Sequence, residues 1–263
     1  MIADSPSRPA ADAADTTPPR VSIGLPVYHG ETFVAAAIDS LLAQTFDDFE
    51  LIITDNASTD ATSAICRAYA DRDPRVRYAR SEVNRGAAWN FNQAFRLARG
   101  EYFKWAAHDD LHDPAFVATC VGVLDRDPSV VLCFTDIEFV DDDDRSLGAF
   151  DFPIDANGAG RRDLFRLYAT GGHIVNEIFG VVRADALRAT PLIGGYVGSD
   201  LVLLGRLALA GRFYQVHETL FFHREHAKRS ALSTGGSAGF THWYASSKSG
   251  RFALPFWRRI REN

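Results

Sequence analysis

Two adjacent carboxylates, Asp109 and Asp110, end a short apolar run, Phe103-Lys104-Trp105-Ala106-Ala107-His108, and such a pair can do chemistry. Side by side in a half-buried place, two acids repel one another and are costly to desolvate, so they want a cation beside or between them. A hard divalent metal would supply it. Acids at strand ends are also common turn and cap residues, and Asp113-Pro114 just beyond reads as the start of a helix, so the dipeptide alone leaves both roles open.

The segments around the pair must position it. The run before Asp109 reads as a buried strand, and in an open α/β sheet ligands bind beyond the carboxyl ends of the strands. Val21-Ser22-Ile23-Gly24-Leu25-Pro26-Val27-Tyr28 is a first strand, broken by Pro26 near its end. Over 31–44, Val34, Ile38, Leu41 and Leu42 recur at helical spacing. Leu51-Ile52-Ile53-Thr54 is a second strand, followed by the cap-forming Asp55-Asn56-Ala57-Ser58-Thr59-Asp60 and a helix over 61–69. A short outer strand over 75–79 and a helix over 87–99, stopped by Gly100, complete three strand-helix repeats. Repeats of this kind predict a parallel sheet with right-handed crossovers.

The strand ends offer a consistent set of groups. Tyr28 has a ring that can stack on a base, while Asp55 and Asn56 supply a carboxylate and an amide able to read its edge or a ribose hydroxyl. Neither a dinucleotide Gly-x-Gly-x-x-Gly nor a phosphate-cradling Gly-x-x-x-x-Gly-Lys-Ser/Thr is present.

Composition narrows the classes. The chain has 263 residues, 46% hydrophobic and 24% charged, enough for one substantial core. A net charge of −6 argues against nucleic acid as a partner, and an anionic ligand would have to be held by a metal and a few placed cations. Cys66, Cys120 and Cys133 match neither a zinc site nor a disulfide framework and read as reduced core thiols, hence a cytoplasmic setting. No apolar stretch is long enough to span a bilayer. Residues 1–20 are rich in Ala, Asp, Pro, Ser and Thr and are expected to be disordered.

The first-strand motif with Phe33, then Ser40-Leu41-Leu42-Ala43-Gln44-Thr45, the segment 50–60, Asn84-Arg85-Gly86 and the spacing to the acidic pair together resemble the opening of a family 2 glycosyltransferase over about residues 21–125. The resemblance implies a GT-A type fold: a Rossmann-like, mostly parallel central sheet with flanking helices, a nucleotide-sugar half over 21–125 and an acceptor-binding half over 126–240. It places Pro26, Tyr28, Glu31 and Asp55 around the nucleotide, with Asn56 and Ser58 nearby. Gly86 and Asn90 would let the sugar diphosphate pass close to the backbone, Asp109 would hold the ribose or donor sugar, and Asp110 would bind Mg2+ or Mn2+. The chain departs from the family in having His108 where many members carry a further acid.

The second half is read more coarsely. A β-like run covers 130–140, and Asp141-Asp142-Asp143-Asp144 reads as a solvated acidic turn. A loop over 150–160, a short helix over 161–168 and a strand over 174–183 follow. The resemblance makes His173 and Arg183 acceptor-side residues. Ser199 and Asp200 open a helix that runs to Gly211; either could be a cap, and the resemblance instead makes Asp200 the general base. After a strand over 213–222, Arg224 or His226 would reach the phosphates or complete the metal shell. Residues 228–240 read as a mobile loop able to close over the donor, and 241–263 as an interfacial or docking helix, which would suit peripheral contact at the inner face of a membrane.

The implied reaction is inverting transfer of a sugar from a UDP-, dTDP- or GDP-sugar to a sugar or lipid-linked acceptor, as in polysaccharide or glycolipid biosynthesis. A sugar nucleotidyltransferase or a nucleotide-sugar-binding protein without turnover are the other readings.

Overall fold

The computed structural model describes residues 17–171 and 174–226. Four strands form its parallel half: β1 (Val21–Val27), β2 (Phe49–Asp55), β3 (Val76–Arg80) and β4 (Tyr102–Trp105). Every residue of β1, β2 and β4 is buried, as expected of near-continuous apolar strands covered on both faces. Between them run α1 (Val34–Leu42), α2 (Thr62–Arg72) and α3 (Ala87–Arg96). β1 pairs in parallel with β2 and β4, and β2 with β3, so the order is β3-β2-β1-β4.

The second half extends the same sheet. In chain order it contains β5 (Leu111–His112), α4 (Phe116–Arg126), β6 (Val130–Val140), β7 (Ser146–Phe150), α5 (Arg161–Thr170), a 3-10 turn at Asn176–Phe179, β8 (Val181–Arg183), α6 (Ala184–Arg188), α7 (Ser199–Ala210) and β9 (Arg212–Arg224). The order continues β4-β8-β6-β9-β5, with β7 paired to β6. β8 is antiparallel to β4 and to β6, while β9 is parallel to β6. β6 and β9 therefore point with β1–β4, and one edge of the sheet collects the carboxyl ends of all six. Everything expected to carry chemistry should lie there.

Two apolar clusters flank the sheet. One joins α1, α2 and α4 to β1 and β2; the other joins α3, α5, α6 and α7 to β4, β6 and β8. Cys66, Cys120 and Cys133 are buried and unpaired, as read from the sequence. No helix among the described residues is long and apolar enough to cross a membrane.

Several boundaries differ from expectation. Arg20, placed in the disordered segment, is tied in: its carbonyl accepts from the Tyr102 amide at 2.9 Å and its guanidinium meets Asp125 at 2.6 Å. The strand expected over 174–183 is mostly the 3-10 turn, with only three residues pairing. The rest of the first segment, 1–16, together with His173, the expected loop over 228–240 and the tail over 241–263, lies outside the described residues.

Arg183, expected on the acceptor side, lies away from the acidic turn. Because β8 runs against β4, Arg183 lies opposite Tyr102, where β4 begins, at the far edge from Asp109 and Asp110. There its guanidinium donates to the carbonyls of Leu124 at 2.6 Å and Val130 at 2.9 Å and lies 5.6 Å from the Tyr102 ring centre. It closes the amino edge of the sheet. Replacement by Ala should strand those carbonyls and lower stability by ~1–3 kcal/mol, read as a lower urea midpoint, with the acceptor KM unchanged. An unchanged midpoint with a raised acceptor KM would restore the acceptor-side role.

Candidate functional site

At the carboxyl edge the first two strands are stitched together by short polar side chains. The Asn90 amide, on α3, donates to the carbonyl of Val27 at 3.2 Å and to that of Thr54 at 2.9 Å, bridging the ends of β1 and β2. Asn56 follows β2 and is 2% exposed. Its amide donates to the Asn84 side chain at 2.9 Å and the Gly86 carbonyl at 3.2 Å, and its oxygen accepts from the Arg85 amide at 2.9 Å. The 84–86 loop is thus pinned against β2. Gly86 sits at φ +86°, a backbone conformation that side chains disfavour, and the chain turns there into α3.

A second set of bonds fixes the loop after β1. The His29 amide donates to Ser58 Oγ at 3.1 Å, the Gly30 amide to Thr62 Oγ1 at 2.8 Å, and the Glu31 carboxylate accepts from the Ala61 amide at 2.9 Å. Gly30 has no room for a side chain, because a Cβ there would meet the His108 ring at 2.5 Å. His108 therefore packs on the first loop, as a neighbour of the acidic turn. Pro26 lies within buried β1, and Tyr28 is 40% exposed with its ring stacked 4.0 Å from that of His29.

Asp55 occupies the end of β2 and is wholly buried. Its oxygens accept from Ser63 Oγ at 2.5 Å, Tyr78 Oη at 2.7 Å and the Ser58 amide at 2.8 Å, with Arg80 at 3.4 Å. Burial alone would raise its pKa; the bonds from Ser63, Ser58 and Tyr78 outweigh that and hold it below the usual carboxylate range. Glu31 and Asp55 are thus already engaged by protein groups.

The acidic turn after β4 is clamped by the end of β9. Asp110 is 1% exposed. Its Oδ1 accepts from the Arg224 amide at 2.9 Å, whereas its Oδ2 is buried without a hydrogen-bond partner among the described residues, 3.5 Å from His223 Nδ1. Asp109 Oδ2 lies 3.0 Å from His226 Nε2. Burial pushes the Asp109 pKa up, but His108 and His226 pull it well below the carboxylate range, so Asp109 stays ionised. His226 stacks near Phe33, ring centres 4.9 Å apart.

Arg224, expected near the phosphates, is directed at protein oxygens. It is 2% exposed, and its guanidinium donates to the Asp109 carbonyl at 2.9 Å, the Asp141 carbonyl at 2.6 Å and the Asp144 carboxylate, over the Phe33 ring. It supports the acidic turn from beneath. The run 141–144 is a turn between β6 and β7, as read, but it is also the far anchor of Arg224.

These groups suit a divalent cation in part. Mg2+ is commonly held by one or two carboxylates with substrate phosphates completing its shell, and the Oδ2 of Asp110, which accepts no hydrogen bond among the described residues, beside the ionised Asp109 would supply such donors. No cluster of three metal-ligating side chains converges among the described residues. His226 pairs with Asp109 rather than Asp110. Asp200 begins the helix that leads into β9, so it lies toward the carboxyl edge. It is half-buried, its Oδ1 accepts from the Leu201 amide at 2.9 Å, and the helix start is Gly198, so no side chain caps it.

Sequence reasoning missed Asn84, Thr62 and Ser63 as wall-building residues, although the Asn84-Arg85-Gly86 motif and the capping run before α2 carried the signal.

The family model for glycosyl transferase family 2 matches residues 22–187. An uncharacterized glycosyltransferase of Rickettsia typhi is 35% identical over 134 residues, covering 51% of this chain and 41% of its own length. Among solved structures, Staphylococcus aureus TarS 1-349 in complex with UDP-GlcNAc matches with TM-score 0.66 and 18% identity, over 82% of this chain and 61% of that one. Mannosyltransferase PcManGT from Pyrobaculum calidifontis, in complex with GDP-Man and Mn2+, matches with TM-score 0.58 and 19% identity, over 94% of this chain and 69% of that one.

The depressed Asp55 carboxylate carries a pH signature. Its stabilisation is present above the ordinary aspartate value of about 3.9 and is lost as pH falls below it. Asp55→Asn should lower stability at pH 7 and flatten the acid limb of a stability profile between about pH 5 and pH 2; an unchanged limb in chemical unfolding would refute the assignment.

Proposed function

This chain belongs to glycosyl transferase family 2, and we propose that it transfers a sugar from a nucleoside-diphosphate sugar to an acceptor hydroxyl with inversion, in the assembly of a polysaccharide or glycolipid. The observation that carries this reading is the buried Oδ2 of Asp110, which accepts no hydrogen bond among the described residues and has only His223 Nδ1 at 3.5 Å, beside Asp109 at the edge where six strands end. The UDP-GlcNAc and GDP-Man held in the two similar structures support a nucleotide-sugar donor.

In this reading the base stacks near Tyr28 in the pocket walled by Pro26, Glu31, Asp55, Asn56 and Ser58. The diphosphate passes the 84–86 loop, where Gly86 and Asn90 keep the backbone close. Asp110 holds a divalent cation, with Asp109 and His226 beside it. When bound, Mg2+ or Mn2+ supplies Lewis-acid neutralisation of the departing diphosphate.

On the other side of the sugar, Asp200 takes the proton of the acceptor hydroxyl. Attack from the face opposite the diphosphate passes through an oxocarbenium-like transition state and inverts the anomeric centre in one displacement. Removing such a base costs ~10²–10⁴-fold in rate.

The assay is release of nucleoside diphosphate from UDP-, dTDP- and GDP-sugars with Mn2+, with the product anomer read by NMR. Asp200→Asn should lose ~10²–10⁴-fold in kcat while binding the donor as before. Retained configuration, or full turnover by that variant, would contradict the mechanism.

A further inference from the structure

Asn92 does something the donor pocket does not need. It lies on α3, is 7% exposed, and makes a reciprocal pair with a residue 101 positions away: its Nδ2 donates to the Ile193 carbonyl at 2.8 Å, and its Oδ1 accepts from the Ile193 amide at 3.0 Å. A buried side-chain amide that both donates to and accepts from the backbone of one residue acts like a rung of sheet, fixing position and orientation together.

The segment so fixed is the approach to Asp200. It holds two left-handed residues, Leu192 at φ +64° and Gly198 at φ +81°. Leucine at such an angle is strained, so its neighbourhood must be over-determined by other contacts. The Leu192 amide bonds Thr190 Oγ1 at 3.1 Å, and the next residue is the one Asn92 grips. α3 is itself held at the site: it starts at Gly86, its Asn90 bridges β1 and β2, and its Phe91 carbonyl accepts from the Trp105 indole at 2.8 Å. One helix thus joins the loop expected to pass the diphosphate to the loop that ends in Asp200.

We infer that Asn92 is a positioning residue that sets Asp200 relative to the bound donor. The inference rests on Asp200 being the base. A misplacement of about 1 Å can cost about 10²-fold in rate.

The test uses donor hydrolysis, with water as acceptor, of whichever UDP-, dTDP- or GDP-sugar gives the largest thermal shift. It compares wild type, Asn92→Ala, Asp200→Asn and the double variant. Asn92→Ala should lower kcat by about 10²-fold, leave donor Kd unchanged, shift the acid limb of the kcat–pH profile, and cause no further loss in the Asp200→Asn background. Asn92→Asp, which keeps the acceptor for the Ile193 amide, should retain more activity and serves if the alanine variant fails to fold. Equal losses in both backgrounds, or an unmoved acid limb, would reduce Asn92 to a stabilising residue and overturn the inference. Full turnover by Asp200→Asn alone would instead remove the base on which it rests.

Discussion

The structure depends on keeping two neighbouring carboxylates close together at the rim of a sheet. Asp109 and Asp110 would repel and unravel their turn if nothing cationic lay under them. Groups from the end of β9, which is joined to β4 through β8 and β6, meet them: His226 lies 3.0 Å from the Asp109 carboxylate and His223 3.5 Å from that of Asp110, with Arg224 between. Its backbone amide holds Asp110, its side chain holds the Asp109 carbonyl, and the turn at 141–144 completes its shell. A buried guanidinium whose three nitrogens each donate to a protein oxygen is tolerable where an unpaired one is not. The Oδ2 of Asp110 accepts no hydrogen bond among the described residues and faces His223 Nδ1 at 3.5 Å, and the proposed function places the cation there.

The first half of the fold is legible because its rules are local. Apolar runs of strand length alternate with helical periodicity, and cap-forming residues mark the joins, so β1 to β4 and α1 to α3 fall close to where the sequence puts them. The second half resists for physical reasons. Asn176–Phe179 is held as a turn by packing rather than by propensity, and β5 and β8 are too short to leave a period. Lys104 shows the same limit: within an apolar strand its ammonium is fully buried, its pKa pushed down to about 7 by that burial, and it is met by the Phe179 carbonyl and the rings of Phe116 and Phe221, brought together by the fold.

The candidate site was legible as residue types and less so as roles. Asp55, Asn56, Gly86, Asn90, Asp109 and Asp110 do gather at one edge, since strand direction alone brings them there. Which of them face a ligand depends on hydrogen bonds that the sequence does not state. Asp55 and Arg224 are both consumed by protein partners, and Arg183 lies at the opposite edge because β8 runs backwards. Asn92 was invisible, for its partner is a backbone peptide, and any residue at 193 would supply one.

Titration calorimetry of nucleoside-diphosphate sugars against wild type and Asp110→Asn, each with and without Mn2+, addresses the central claim most directly. Donor binding by the wild type should strengthen when Mn2+ is added, and the variant, folded by circular dichroism, should show no such gain. Equal enhancement in both proteins, or donor binding indifferent to the metal, would contradict the claim that the Asp110 carboxylate is where the cation and the diphosphate meet.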